Sequence, residues 1–359
     1  MPALCKKGMD PLRFIVITMK KFMTAILTVA LAGAVAAGIS LHAVNADTDS
    51  SSSSSSSSSS EAWSQPVVTL GTSLTADQKQ GTINTLTASL NGGNYSTLTV
   101  TGDTLVKYLN PSGSSFTSAS GVWSSAMVQK TDNGGINVKI LDYNGANNIT
   151  TITADQYRNA AVTAGVANAN IYITSATRID GSGALAGVYA AFAANGEKLN
   201  TAQVTAAQTE VNTLSDITQA NKDKDGYSDK LLNNAVAGMK KEMASQSNSG
   251  EQTLSQNQIG NIVDSQLKNN NLGTIINNNQ RTQIINLLVK IQSSGALKSS
   301  DFKEQASKLA SSIQDSAKGL FSKIKSGLNS EEGRNFLQKV GDAIANFFKS
   351  LIDWITSLF

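Results

Sequence analysis

Hydrophobic and polar positions follow two different periods along this chain. Between residue 67 and about residue 196, short β-branched runs such as Val67–Leu70 alternate with helical patterns. In the first helical pattern Ile83, Leu86 and Leu90 recur on one face. Strands that alternate with helices predict an α/β (α+β) domain with a mixed sheet over residues 67–199. Further strands are predicted at 96–101, 122–129, 136–143 and 170–174, and helices at 75–90, 103–109, 155–164 and 183–194.

One turn in this region carries a specific prediction. Asp132, Asn133, Gly134 and Gly135 separate the runs 122–129 and 136–143. Gly-rich turns between two apolar runs are typical of hairpins. We therefore expect these two strands to pair directly.

After Asn200 the strand patterns disappear and helix formers dominate. Successive helices are predicted at 202–214, 230–245, 255–268, 275–292 and 300–324, separated by Gly250, Gly273 and Gly295. The sequence therefore predicts an all-helical C-terminal domain over residues 200–326. A last segment, 327–359, follows it.

The apolar pattern of that last segment predicts an amphipathic helix from Phe336 onward. Lys349 and Asp353 interrupt its apolar pattern, which argues against a span across a membrane. Two interpretations stand: the apolar face packs on its own domain or a protein partner, the commoner use of such a face, or it lies in the membrane interface. The residues that would dock are Phe347, Phe348, Leu351, Trp354 and Ile355.

The N-terminal residues 1–46 have the order of a secretory signal peptide. Lys20 and Lys21 precede an apolar run, 23–41, and small residues end at Ala46. Met19 is the better start of this leader, and an uncleaved membrane anchor is the alternative. Residues 47–66 contain the serine tract 50–60 and predict a disordered linker. We therefore expect an exported, extracellular or surface-associated protein.

Removal of the leader changes the available chemistry. Cys5 and His42 are the chain's one cysteine and one histidine, and both lie in the leader. The remainder therefore lacks the histidine that a Ser-His-Asp triad needs and the cysteine that a thiolate nucleophile or a disulfide needs. It also keeps 24 basic against 25 acidic residues, a net charge of −1, so nucleic-acid binding is not expected.

A calcium loop is the metal site that the sequence offers. Asn221, Asp223, Asp225 and Asp229 stand at positions one, three, five and nine of an EF-hand-like segment, with Gly226 at position six. Leu232 occupies position twelve, where the bidentate glutamate belongs. A polar loop between helices is the alternative. No other cofactor is expected.

Two further patterns bear on ligand or catalytic sites. Gly181, Gly183 and Gly187 lack the full GxGxxG spacing, so they predict close packing of a helix on a sheet rather than a nucleotide cofactor. Aspartates in the α/β part would allow glycan hydrolysis if two of them converged. These aspartates are Asp103, Asp132, Asp142, Asp155 and Asp180.

A family resemblance rests on two stretches, 67–71 with Leu74 and Thr75, and 155–192. In the second, a helix, the Ala164-Gly165-Val166 turn, a strand and a small-residue helix follow one another. This order resembles the secreted YpuA-like family of Gram-positive bacteria catalogued as domain of unknown function 1002. The resemblance implies export but neither an activity nor functional residues.

The sequence thus favours a non-enzymatic module of the cell envelope or surface. It would dock on an envelope protein partner or the membrane interface through its apolar C-terminal helix. The alternative function is an aspartate-dependent hydrolase that acts on envelope glycans.

Overall fold

A computed structural model describes residues 63, 65–197, 199–320 and 322. The leader, most of the linker and the segment 327–359 lie outside the described residues. The strands are β1 Val67–Gly71, β2 Ser96–Val100, β3 Ser124–Lys130, β4 Ile136–Ile140 and β5 Ala169–Ser175. The helices are α1 Ala76–Thr87, α2 Gly102–Leu109, α3 Ala154–Thr163, α4 Ser182–Ala194, α5 Thr201–Asn221, α6 Asp229–Gln246, α7 Gln256–Asn269, α8 Asn278–Ser293 and α9 Phe302–Ser316.

The five strands form one mixed sheet in the order β2-β1-β3-β5-β4. β1 and β2 are parallel, as are β4 and β5, whereas β3 is antiparallel to both β1 and β5. After β5, the described residues contain helices and no further strand. The predicted mixed sheet followed by helices is therefore confirmed, and the terminal amphipathic helix lies outside the described residues.

The prediction that the strands 122–129 and 136–143 form a hairpin is wrong, because β3 and β4 do not pair with each other. β5 lies between β3 and β4 and pairs with both. Its Ile171 and Ile173 are almost fully buried, so the central position hides more apolar surface than an edge would. Asn168, just before β5, binds the turn instead: its side chain accepts from the Gly135 amide at 2.9 Å and donates to the Asp132 carbonyl at 3.2 Å.

Alternating side chains give the sheet two buried faces. On one face Val68, Leu70 and Met127 pack with Leu86 of α1. On the other face Ile171 and Ile173 belong to the main core, where α4 packs on β1, β2 and β3, and α3 packs on β4. The sheet is therefore enclosed by helices on both sides.

Helix α3 links the sheet to the helical part. Residues 155–163 of this helix are all buried, since α3 packs on β4, α5, α6 and α9. One hydrophobic cluster runs from Val67 in the sheet through α5 and α6 to Ile313 in α9. The division between residues 199 and 200 stays a prediction, and the residues on both sides of it share this core.

The glycines of α4 let that helix approach the sheet, as the sequence predicted. A Cβ at Gly187 would lie 2.4 Å from Thr69 Oγ1, and a Cβ at Gly183 would lie 2.6 Å from Val122 Cγ1. A side chain at either position would push α4 away from the strands. Close packing here therefore depends on the missing methyl groups.

We expect Gly187→Ala to lower the free energy of unfolding by about 1–3 kcal/mol, because the added methyl group overpacks the interface between α4 and β1. Gly319→Ala is the control, since a Cβ there meets nothing within 4 Å. Urea denaturation of both variants makes the comparison. Equal stability of Gly187→Ala and Gly319→Ala would show that α4 can move without cost.

Candidate functional site

Three polar side chains form a buried stripe on α3. Gln156, Asn159 and Thr163 are each fully buried, and their spacing of three and four residues places them on one face of the helix. Side chains of α5 and α6 bind them. We call this set of contacts the polar seam.

At the end of α3 the polar seam contains an ion pair without solvent exposure. Lys240 Nζ lies 2.9 Å from Glu210 Oε1, and neither side chain is exposed. Lys240 also donates to the Asn159 carbonyl at 2.9 Å and to Thr163 Oγ1 at 3.3 Å. The Thr163 hydroxyl donates to Glu210 Oε2 at 2.5 Å. Burial lowers the pKa of Lys240, and the Glu210 carboxylate opposes that shift.

The middle of the polar seam joins two asparagines. Asn159 Nδ2 donates to Asn233 Oδ1 at 3.0 Å, and Asn233 Nδ2 donates to the Asp229 carbonyl at 2.9 Å. The first bond joins α3 to α6 and the second holds the Asn233 side chain on its own helix, so together they fix the position of α3 along α6.

The start of α3 meets a carboxylate that hydrogen bonds hold. Asp229 accepts from Thr153 Oγ1 at 2.7 Å, Thr218 Oγ1 at 2.9 Å and Gln156 Nε2 at 3.1 Å. Thr153 and Gln156 also form the capping box that begins α3. Burial raises the pKa of Asp229, its three hydrogen bonds lower it, and the nearby Asp155 carboxylate raises it further.

These contacts make the polar seam a structural element rather than a reactive one. Each charged group has a partner within it: Lys240 binds Glu210, and both oxygens of Asp229 accept hydrogen bonds. A group already paired and enclosed has neither an open face for a substrate nor a free proton to transfer.

The predicted calcium ligands lie in different surroundings. Asn221 is buried at the end of α5, where its side-chain amide donates to the Ile217 carbonyl. Asp223 and Asp225 are exposed, whereas Asp229 belongs to the polar seam. Among the described residues, no group of three or more His, Cys, Asp or Glu side chains could hold a metal. Calcium binding by this loop stays a prediction.

The aspartates named for glycan hydrolysis lie in the first turns of helices and in loops. Asp103 accepts a hydrogen bond from Ser118, Asp180 accepts from Ser182 at the start of α4, and Asp132 and Asp142 are exposed after β3 and β4. Asp155 pairs with Arg158 at 3.1 Å and with Lys230 at 3.6 Å. The acidic neighbour of Asp155 is Asp229, and both carboxylates are bound within the fold.

An open cleft of about 390 Å³ lies where α2, α4 and α5 meet. Lys107 and Tyr108 of α2 line one side, and Thr201 and Thr205 of α5 line another. Glu197, just after α4, also lines the cleft, and its carboxylate pairs with Lys130. Apolar parts of the wall come from Pro111, Ala193, Leu199 and Val204. We call this the α2–α4–α5 cleft, and its size suits a small organic ligand.

The predicted docking residues lie outside the described residues. They are Phe347, Phe348, Leu351, Trp354 and Ile355, and their use stays a prediction. In the part of the chain that the structure covers, no helix has the length and apolarity needed to cross a membrane.

Comparison with known proteins places the chain in a family. The family model described as a protein of unknown function, DUF1002, matches residues 70–309. The chain belongs to the DUF1002 family. The uncharacterized protein YpuA of Bacillus subtilis strain 168 is 28% identical over 295 residues, which cover 82% of this chain and 89% of the relative. No solved structure matches the DUF1002 protein. The resemblance seen in the sequence is therefore confirmed.

Sequence reasoning missed both the polar seam and the cleft of this DUF1002 protein. The spacing of Gln156, Asn159 and Thr163 was a usable signal for the seam, because polar residues three and four positions apart lie on one face of a helix. Lys107 and Thr201 offered no such signal, since they are 94 positions apart and are ordinary surface residue types.

We expect Glu210→Gln to lower the free energy of unfolding by about 3–5 kcal/mol, because it leaves the Lys240 charge buried without its counterion. The same substitution at Glu304, which pairs with Lys308 on the exposed side of α9, should change it by no more than about 0.5 kcal/mol. The double variant Lys240→Met, Glu210→Leu should recover most of the loss. Urea denaturation measures all three, and similar losses at Glu210 and Glu304 would contradict the buried pair.

We expect the stability of the original protein, relative to that of the Asp229→Asn variant, to increase in mild acid. Burial raises its pKa in the folded state, so the folded protein binds more protons than the unfolded chain down to the unfolded pKa of about 3.9. The difference in unfolding free energy, original protein minus variant, should therefore rise as the pH falls from 7 to about 4. Denaturation at several pH values tests this. A difference that falls over the same range would mean that hydrogen bonding outweighs burial.

Proposed function

We propose that this DUF1002 protein is exported and serves as a non-enzymatic binding module of the cell envelope or surface. The order of charges, apolar residues and small residues in 1–46 supports export. The observation that carries the binding role is the α2–α4–α5 cleft, whose lining offers hydroxyls, one lysine and apolar wall. Lys240, Glu210 and Asp229 meanwhile have their partners within the polar seam.

The second part of this proposal concerns the segment after α9. Phe347, Phe348, Leu351, Trp354 and Ile355 recur at helical spacing, and we propose that this apolar face docks on an envelope protein or in the membrane interface. Exposure of such an apolar face to water is unfavourable, so we expect another surface to cover it. The export and docking proposals support each other, because a surface module needs an attachment once its leader is removed.

Removal of residues 336–359 should abolish co-sedimentation of the protein with liposomes if the apolar face lies in the membrane interface. It should instead abolish co-sedimentation with purified cell envelope if the partner is a protein. The measurement is the pelleted fraction of the intact and truncated proteins with each material. Unchanged pelleting of the truncated protein with both materials would contradict docking by this segment.

A matched pair of variants separates the apolar face from the segment as a whole. Phe348→Ser with Trp354→Ser removes two aromatic rings from the apolar face and should reproduce the truncation. Asn346→Ser with Ser357→Ala changes two positions on the polar side and should leave pelleting unchanged. Equal losses in the two double variants would show that the apolar face is not what docks.

A further inference from the structure

The α2–α4–α5 cleft contains several hydrogen-bond donors without acceptors. Lys107 has no carboxylate partner among the described residues, and its Nζ lies 5.0 Å from the centre of the Tyr108 ring. Thr201 begins the long helix α5, so the positive end of the helix dipole faces this side. Asn200 caps the amides of Ala202 and Gln203, which leaves the first amide of α5, that of the lining residue Thr201, without a hydrogen bond to any described residue.

Tyr108 adds an unpartnered hydroxyl to the cleft. Its side chain lines the cleft, and the residue is only 8% exposed. Its hydroxyl has no hydrogen bond to any described residue, yet it is not one of the described polar atoms that are sealed from solvent without a partner. The hydroxyl therefore stays open to a ligand, whose oxygen would replace water as its hydrogen-bond partner.

The charges of the lining favour an anion. Glu197 is the acidic residue that lines the cleft, and its carboxylate is paired with Lys130. Lys107 therefore keeps a positive charge that no described carboxylate neutralises. An ammonium, two hydroxyls and a helix amide are the donors that bind tetrahedral oxyanions.

We propose that the α2–α4–α5 cleft binds the phosphate group of a small phosphate ester. Lys107, Tyr108 and Thr201 would hold the phosphate oxygens, and the organic part would lie against Leu199 and Val204. The volume of about 390 Å³ exceeds what one phosphate fills, which is why an ester fits better than the free ion. The inference rests on the proposed binding role and names its ligand class.

The test is calorimetric titration of the full-length protein with inorganic phosphate and with glycerol 3-phosphate at constant ionic strength. Both should bind saturably, and glycerol 3-phosphate should bind more tightly. Lys107→Ala should weaken binding by about tenfold or more, since it removes a charge-assisted hydrogen bond. Lys79→Ala, an exposed lysine on α1 at the other face of the sheet, is the matched control and should bind normally.

Tyrosine variants separate ligand binding from stability. Tyr108→Phe should weaken phosphate binding and leave the urea midpoint unchanged, because its hydroxyl has no bond in the folded protein. Tyr157→Phe should do the opposite, since the Tyr157 hydroxyl donates to the Gly181 carbonyl at 2.8 Å outside the cleft. The proposal is overturned if neither phosphate compound binds saturably, or if Lys107→Ala and Tyr108→Phe both bind with the original affinity.

The source of the phosphate is resolved by a further titration with vesicles that contain phosphatidylglycerol. Competition between these vesicles and glycerol 3-phosphate would assign the site to a lipid headgroup, whereas titration without competition would assign it to a soluble ester or polymer. The truncated protein keeps Lys107, Tyr108 and Thr201, so its phosphate titration tests the cleft separately from any loss of vesicle docking.

Discussion

The ion pair between Lys240 and Glu210 is the constraint on which the arrangement of the helices depends. Two opposite charges without solvent exposure are tolerated only in direct contact and with their other hydrogen bonds filled. Thr163 and the Asn159 carbonyl provide those bonds. A shift of α6 by one turn against α3 would therefore break several contacts at once, which an apolar interface would tolerate better. Since α3 also packs on β4, the same contacts fix the helical part against the sheet.

Local features of the fold were predictable because local interactions determine them. The strand 67–70 and the helices near 155–164, 183–194 and 230–245 all appear within a few residues of their predicted bounds. The capping box of Thr153 with Gln156 fixes the start of the helix near 155–164, whereas the other two helices begin without a side-chain cap. The Gly187 position was also readable, because small residues on an apolar helix indicate close packing.

Pairing across the chain was not predictable in the same way. The turn at residues 132–135 has the residues of a hairpin, yet β5, which begins 34 residues after Gly135, takes the place between the two strands. The polar seam joins Asn159 to residues 74 and 81 positions away. The α2–α4–α5 cleft likewise collects residues from three helices. No period within a single segment records such contacts, which only the packed structure shows.

Two unpartnered tyrosine hydroxyls in the core show why burial alone does not identify a ligand site. Tyr189 is fully buried, its hydroxyl has no hydrogen bond among the described residues, and burial together with the Glu210 charge raises its pKa. It lies outside the lining of the α2–α4–α5 cleft, so no ligand in that cleft could supply its missing acceptor. Tyr108 packs 6.0 Å from it, measured between ring centres, but lines the cleft beside Lys107. The Tyr189 hydroxyl is thus sealed without an acceptor and is a fixed cost of the fold, whereas the Tyr108 hydroxyl stays open to a ligand in the cleft.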